Sequence, residues 1–476
     1  MRRLLLLLVV VLVAALNAAP AGAHEGEMTA TEWLLGASAA HHPGWYTPSP
    51  ESQSDNFKLI GSVSRTRFDS TYRNSDLAFW GKRVYAGHYD GFQIIDASDP
   101  ENPQQLVDFR CPGSQHDVSV WKDLLFVSVE TPRTSPDCDS TTQSPGFEGM
   151  RIFDVSNPSE PVLIKGVPTD CGSHTHTLVP DLENGRVLLY VASYTASELR
   201  ESEYGNACLR VDENGQRHNK ISVVSVPLDE PEEASVVSEP RFPQRNDYRA
   251  TPADPANGWN GCHDISVYMA IERAASACMG EGQIWDISDK AQPRAIARVH
   301  NPKVEFFHSA TFSWDGKTVV YGDEAGGGTG PRCRAQDPST LGALWFYDVA
   351  SLDTTDDTSV EEPLSHWKVP RVQGDLPNCT MHNFNTLPML RRDVLVSSAY
   401  AAGTTVVDFT DPGNPVEVGH HDPHGANTWS SYWYNGRIYT NDGGRGVDVM
   451  LLSHEARAGA RKLPHSNPQT QDFVLR

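Results

Sequence analysis

The chain has 476 residues, 39% of them hydrophobic, with 61 Asp and Glu against 39 Lys and Arg and a formal net charge of −22. An acidic chain without a basic stripe argues against phosphate-backbone binding, so no nucleic acid is expected as a partner. The length suits one large β domain or two smaller domains, and the acidity favours solubility outside the cell.

The first element is an address. Arg2 and Arg3 precede an unbroken apolar run over residues 4–16, and Ala21-Gly22-Ala23 is a small-residue cleavage site. Residues 1–23 read as a secretory signal peptide, with a run too short for a comfortable membrane span. No cysteine stands at the cleavage site and no later apolar run is long enough to cross a bilayer. The expectation is a soluble protein, secreted or in the cell envelope, without stable membrane insertion. Cleavage after Ala23 leaves His24 at the new amino terminus, where amine and ring can chelate copper; the plainer reading is that cleavage falls there by chance. Residues 24–56 are polar and Pro/Ser-rich and read as an extension, with one helical turn near residues 32–35.

From Asn56 the chain repeats. GFQIIDASDPENPQQLVDF opens at Gly91, GMRIFDVSNPSEPVLIKGV at Gly149, GQIWDISDKAQPRAIARV at Gly282 and GTTVVDFTDPGNPVEVGHHDP at Gly403. Each is a strand, a turn and a strand. The first part is β-branched and apolar, prolines and aspartates force the turn, and the last part alternates as a half-covered strand does. Looser copies open at Ile221, Ala343 and Gly446. About seven copies, mostly about 60 residues apart, mean a repeat fold. Other strand pairs lie between them: residues 116–121 with 124–130, residues 307–321 around an Asp-Gly turn, and residues 432–439 around an Asn-Gly turn. The predicted fold is therefore all-β, a single seven-bladed β-propeller of four-stranded antiparallel blades over residues 57–454, with a tail over 455–476. The strand FKLIGSV at residues 57–63 resembles the outer strands and is expected to complete the last blade and close the ring. SNPQTQDFVL at residues 466–475 is the rival for that place.

The third strands IIDAS, IFDVS, IWDIS and VVDFT, each followed by an Asp-Pro, Asn-Pro or similar turn, resemble the LVIVD repeat of exported bacterial and archaeal proteins. The resemblance spans nearly the whole mature chain, tight in four copies and loose in three. It implies a propeller on or outside the cell surface, and no particular chemistry, because fold alone does not give function.

Eight cysteines in an exported chain point to disulfides, and no Cys-x-x-Cys suggests a thiolate zinc site. Cys111, Cys171, Cys262 and Cys379 precede inner strands; Cys138, Cys208, Cys278 and Cys333 sit at or beyond the ends of second strands. Pairing in sequence order gives Cys111–Cys138, Cys171–Cys208, Cys262–Cys278 and Cys333–Cys379, all on one face. The long insertions at 131–147, 196–219, 239–261 and 325–341 emerge on that same face, where function concentrates on decorated scaffolds. The glycine run at 326–330 lacks a phosphate-loop lysine and reads as a flexible loop.

His116, His176, His263, His308 and His382 each open an inner strand in successive repeats, with Ser75 and Thr428 or Trp429 in the remaining two. Imidazoles converging on one axis can hold a metal ion of the Cu, Zn or Fe kind. Equally, such histidines can hydrogen-bond inside their own blades. His174 is an optional extra ligand, and His420, His421 and His424 read as a solvated loop. Glu130, Asp323 and Glu324 end second strands beside the histidines, with His88 and Asp442 in equivalent places, as ligands, orienters or rim residues. Two functions follow. One is a secreted binding or scaffold propeller that takes a protein, glycan or small molecule at the channel mouth, helped by exposed aromatics such as Trp259, Trp429, Tyr432 and Trp433. The other is a metal-dependent oxidoreductase or hydrolase using the histidine ring. No catalytic motif chooses between them.

Overall fold

Strand–turn–strand units in series build sheets whose inner edges share one axis. The computed structural model describes residues 51–66, 73–143, 145–195, 217–244, 260–328, 332–352, 362–375 and 377–475. The leader, most of the extension, Cys208, Trp259 and much of the insertions at 196–219 and 239–261 lie outside them. The described chain is a seven-bladed β-propeller of four-stranded antiparallel blades. The inner strands, in order, are Asn74–Trp80, Val118–Trp121, Thr175–Asp181, Asp264–Tyr268, Phe307–Phe312, Phe384–Thr386 and Thr428–Tyr434.

The local chemistry of the repeat is visible at its third strand. Asp96, Asp154, Asp286 and Asp408 end that strand. Each accepts, through Oδ1, the N–H two residues on: Ser98 (2.8 Å), Ser156 (2.8 Å), Ser288 (2.9 Å) and Thr410 (2.9 Å). These Asx turns stop the strand and start the return. The glycine that opens the strand is equally constrained. Gly91, Gly149, Gly403 and Gly446 all have positive φ, at 148°, 144°, 73° and 118°. A Cβ there would run into the carbonyl oxygen of Phe109, Val167, His421 or Val63 of the adjoining outer strand, so only glycine fits.

Val63 belongs to the N-terminal strand, and that is how the ring closes. Phe57–Ser64 pairs antiparallel with Gly446–Leu452, from Phe57 opposite Leu452 to Ser64 opposite Gly446, with a bulge at Leu59/Gly61. Outer strands in blades 1, 2, 4 and 6 carry a bulge in the same pairing. The clasp therefore copies the other blades in glycine, bulge and register, and Phe57 (1% exposed) enters the core between blades 6 and 7. Just before it, Ser52–Gln53 adds a short edge strand to blade 6, opposite Asp422 and His421. The histidines read as a solvated loop therefore lie partly in a strand: His420 and His421 belong to Val416–Asp422, and His421 is buried.

The rival terminal segment does something else. His465–Ser466 pairs with the inner strand of blade 1, and Thr470–Gln471 runs parallel to the inner strand of blade 4. Both contacts fall at the ends of the inner strands, so the C-terminal residues lie across the channel mouth opposite the histidines.

Cys111–Cys138, Cys262–Cys278 and Cys333–Cys379 are disulfides spanning 27, 16 and 46 residues. Cys171 is also disulfide-bonded; its expected partner, Cys208, lies outside the described residues. Peptide mapping without reduction should recover the three links, and reducing any one should cost about 2–4 kcal/mol of stability. Free thiols at these positions would contradict the pairing. Among the described residues no helix is long and apolar enough to cross a membrane.

Candidate metal centre at the channel mouth

Inner strands enter the sheet at one rim of the channel, and the backbone fixes what stands there. His174 donates its N–H to Ala192 O (3.0 Å), His263 to Ala277 O (2.7 Å) and His382 to Ser398 O (3.1 Å), each tied to the second strand of its own blade. His308 is the second residue of Phe307–Phe312. The imidazoles of blades 3, 4, 5 and 6 thus form an arc. Ring centroids are 4.3 Å apart for His174 and His263, 4.0 Å for His263 and His308, and 4.3 Å for His308 and His382. All four rings are buried.

The ends of second strands supply another layer: Glu130, Tyr194, Glu324 and Tyr400, all buried. Together with neighbouring groups they tie down Nδ1 of every ring in the arc. His174 Nδ1 donates to Glu130 Oε1 at 2.7 Å, and His263 Nδ1 meets Asp264 Oδ1 at 3.2 Å. His308 Nδ1 meets Ser309 Oγ, and His382 Nδ1 donates to Trp429 O at 2.5 Å. An acceptor on Nδ1 leaves the lone pair on Nε2, the tautomer that ligates metal. The Nε2 atoms then converge. His174 Nε2 and His263 Nε2 are 2.8 Å apart. Two lone pairs at that distance repel unless a proton or a cation lies between them.

Glu324 completes the set. Its Oε1 accepts from the Tyr400 hydroxyl. Its Oε2 is 3.6 Å from His308 Nε2, and Oε1 is 3.7 Å from His382 Nε2, both too long for hydrogen bonds. Among the described residues, Glu324 Oε2 accepts no hydrogen bond. One ligand atom each from His263, His308 and Glu324 lie within 4.8 Å of one another. Gly328 packs over this corner, where a Cβ would stand 2.7 Å from both Glu324 Oε1 and the Tyr400 hydroxyl. The glycine run is therefore a tight cover for Glu324 in its described part, residues 326–328. Tyr400 itself holds φ +46°, a left-handed conformation uncommon outside glycine.

Electrostatics favour neutral imidazoles here. Burial pushes His263 down to about 4, with His174 adding to the shift, and pushes His382 down to about 3. Both are neutral at pH 7. Burial also raises Glu324 well above the usual carboxylate range, with Asp264 and Asp323 adding and the Tyr400 hydrogen bond opposing. A cation at this point would remove the penalty that burial puts on the carboxylate. Below the arc, His263, His308 and His382 share a cavity of about 10 Å³ with Asp76, Asp117 and Asp264, the room of roughly one water or ion. Asp76 accepts from Ser430 (2.9 Å) and Tyr432 (2.7 Å) and lies against Asp117. Burial, then repulsion from Asp117, raises Asp76, and burial raises Asp117 to about 7.

The histidines expected at the rim divide into two groups. His263, His308 and His382 meet, joined by His174. His176 instead bridges blades 2 and 3, with Nε2 2.7 Å from Ser119 Oγ and Nδ1 2.8 Å from Ser128 Oγ. His116 turns Nδ1 to His88 O at 2.6 Å. In the pair His174 and His176, the inward place falls to the first, because Thr175 Oγ1 donates to His263 O and fixes the register between blades (2.6 Å). His88 is bound to Asp108 (3.0 Å) within blade 1. Asp323 accepts the N–H of Phe306 (2.8 Å) and Gly342 (2.9 Å), bracing the entry to the strand that carries His308. Asp442 likewise braces a loop through Asn427 N (2.7 Å) and Gly444 N (2.8 Å). Replacing His176 by alanine should cost about 1–3 kcal/mol by taking the ring from the buried Ser119 hydroxyl, while Ser128 keeps Ser173 Oγ at 2.8 Å, and should leave metal uptake unchanged; loss of metal would place His176 in the site.

Three aromatics expected on the surface are buried. Trp429 packs on His382 at 4.6 Å, Tyr432 donates to Asp76, and Trp433 joins the core between blades 6 and 7. All three sit on the inner strand of blade 7, where both faces meet protein. Tyr194 and Tyr400 were not singled out in the sequence. The signal was positional, since they stand just past the second strands of blades 3 and 6 as Glu324 does in blade 5. A second group, Asp170, Cys171 and His218, also clusters, but its sulfur is in a disulfide and Lys220 already neutralises Asp170 (2.5 Å).

No curated protein matches the chain. Among 1028 matching solved chains is the computationally designed Ika8 protein, at 12% identity and TM-score 0.45, covering 83% of this chain and all of that one. That likeness is too loose to bear on fold or activity. The LVIVD repeat profile matches residues 147–169, the third strand, turn and outer strand of blade 2. With that unit matched, and its Asx turn recurring in blades 1, 4 and 6, the chain is a seven-bladed β-propeller carrying the LVIVD repeat.

Proposed function

We propose that this chain is an exported propeller that holds one transition-metal ion at its channel mouth. The ion would be presented, with an open coordination position, to a small ligand or substrate arriving at the loop-bearing face. One observation carries the reading: His263, His308 and Glu324 bring two ring nitrogens and a carboxylate oxygen within 4.8 Å of one another, all buried. Two imidazoles and one carboxylate suit zinc, copper or non-haem iron, and such three-donor sets characterise sites that keep a position open for chemistry. His174 and His382 flank the set. Glu130 and Asp264 orient His174 and His263 through Nδ1, the role of carboxylates behind metal-bound histidines.

The family resemblance and the seven-bladed scaffold also support a binding role, and the metal would then be the anchor for the bound molecule. Export is supported by the order of positive start, apolar run and small-residue site in residues 1–23, and by disulfides, which persist in oxidising compartments. Glu324→Gln preserves shape while weakening the donor. Metal content of that variant, purified without a histidine tag, should fall while its melting curve stays cooperative. Metal retained at the wild-type level in a folded Glu324→Gln protein would refute the ligand assignment.

A further inference from the structure

We propose that the far mouth of the channel is a peptide-binding site and that the chain's own C-terminal segment, residues 465–475, is its ligand. The inner strands of a propeller have no sheet neighbour on the channel side, so their backbone groups need partners there. The segment supplies them in blades 1 to 5 and reaches a side chain of blade 7. Asn467 accepts from Val120 N (2.8 Å) and donates to Val120 O (3.0 Å), reading both backbone groups of one residue of blade 2. Thr470 donates to Leu178 O in blade 3 (2.6 Å), and Gln471 to Phe312 O in blade 5 (3.3 Å). Gln469 accepts from Val267 N in blade 4 (2.8 Å) and donates to the Tyr432 hydroxyl in blade 7 (3.2 Å). On blade 1, His465 stacks on Trp80 at 4.3 Å with planes 7° apart.

This is recognition of a short extended peptide. Side-chain amides and a hydroxyl read fixed backbone groups, and the segment bends once, where Thr470 N bonds Asn467 O (2.7 Å). The ring does not need it for closure, because Phe57–Ser64 already completes blade 7. The exposed Arg461 and Lys462 precede it, so the segment is attached through an accessible joint. The recognised class is an extended peptide with Asn, then Thr and Gln three and four residues later. With the segment seated, that end of the channel is plugged.

The test uses the full chain with a specific protease sequence inserted between Arg461 and Lys462, cut after folding. The fragment carrying residues 462–476 should co-elute with the propeller and be displaced by excess synthetic peptide of the same sequence. In the uncut chain, Asn467→Ala should speed amide exchange at Val120 by about tenfold or more and leave the amide of His263 unchanged. A fragment lost at once on cutting, unfolding of the cut chain, or unchanged exchange at Val120 would each overturn the proposal. None of these readouts involves metal, so the result is independent of the histidine site.

Discussion

A mature chain that begins after Ser64 is expected to lose cooperative folding. Without Phe57–Ser64 the strand Gly446–Leu452 becomes an unpaired edge in the middle of a closed ring, and such edges invite aggregation. The core between blades 6 and 7 also loses Phe57, packed there with Leu387, Trp433 and Leu452. Phe57→Ala alone should cost about 3–5 kcal/mol, the range for a buried phenylalanine. That is a large share of a typical total of about 5–15 kcal/mol, and removal of the whole strand exceeds it. Thermal melting followed by circular dichroism reads both variants. A truncated chain that melts like the full mature protein would show that the ring closes elsewhere.

The second large effect concerns the arc. His263→Ala with His308→Ala removes two of three converging donors and should weaken metal binding by well over about a hundredfold, since even orienting groups behind a ligand contribute about 10–100-fold. Glu130→Gln tests that smaller effect. It keeps an acceptor for His174 Nδ1 but removes the charge, and should lower affinity about 10–100-fold without unfolding the chain. His176→Ala is the contrast, because its ring serves two serines between blades. A double variant that binds metal as tightly as the wild type would leave the arc with a purely structural role.

How far the sequence could be read follows from the range of the interactions involved. The repeat was legible because its determinants are local: an Asx turn two residues long and a glycine with no room for a Cβ. Blade count, the N-terminal clasp and the three described disulfides followed from spacing. The site was legible only in part. Spacing placed His263, His308 and His382 at one rim, but it put His176 with them and His174 only as an extra, whereas the contact of Thr175 with His263 O between blades 3 and 4 turns His174 inward. Nor could it see that His116 turns toward His88, a rotamer set by packing across blades. Trp429, Tyr432 and Trp433 look exposed when a strand is read alone, and are buried because blade 7 has a neighbour on each side. The C-terminal segment had no periodic signal, because its partners are mostly backbone groups scattered over five blades.

The most direct measurement is the metal content and coordination of untagged protein, by elemental analysis followed by X-ray absorption at the edge of the metal found. The account predicts one transition-metal ion per chain, bound by nitrogen and oxygen with at least two imidazoles, and no such signal from the His263→Ala/His308→Ala variant. A wild-type protein that carries no metal and takes up none from added zinc, copper or iron, or a metal ligated by sulfur, would contradict it.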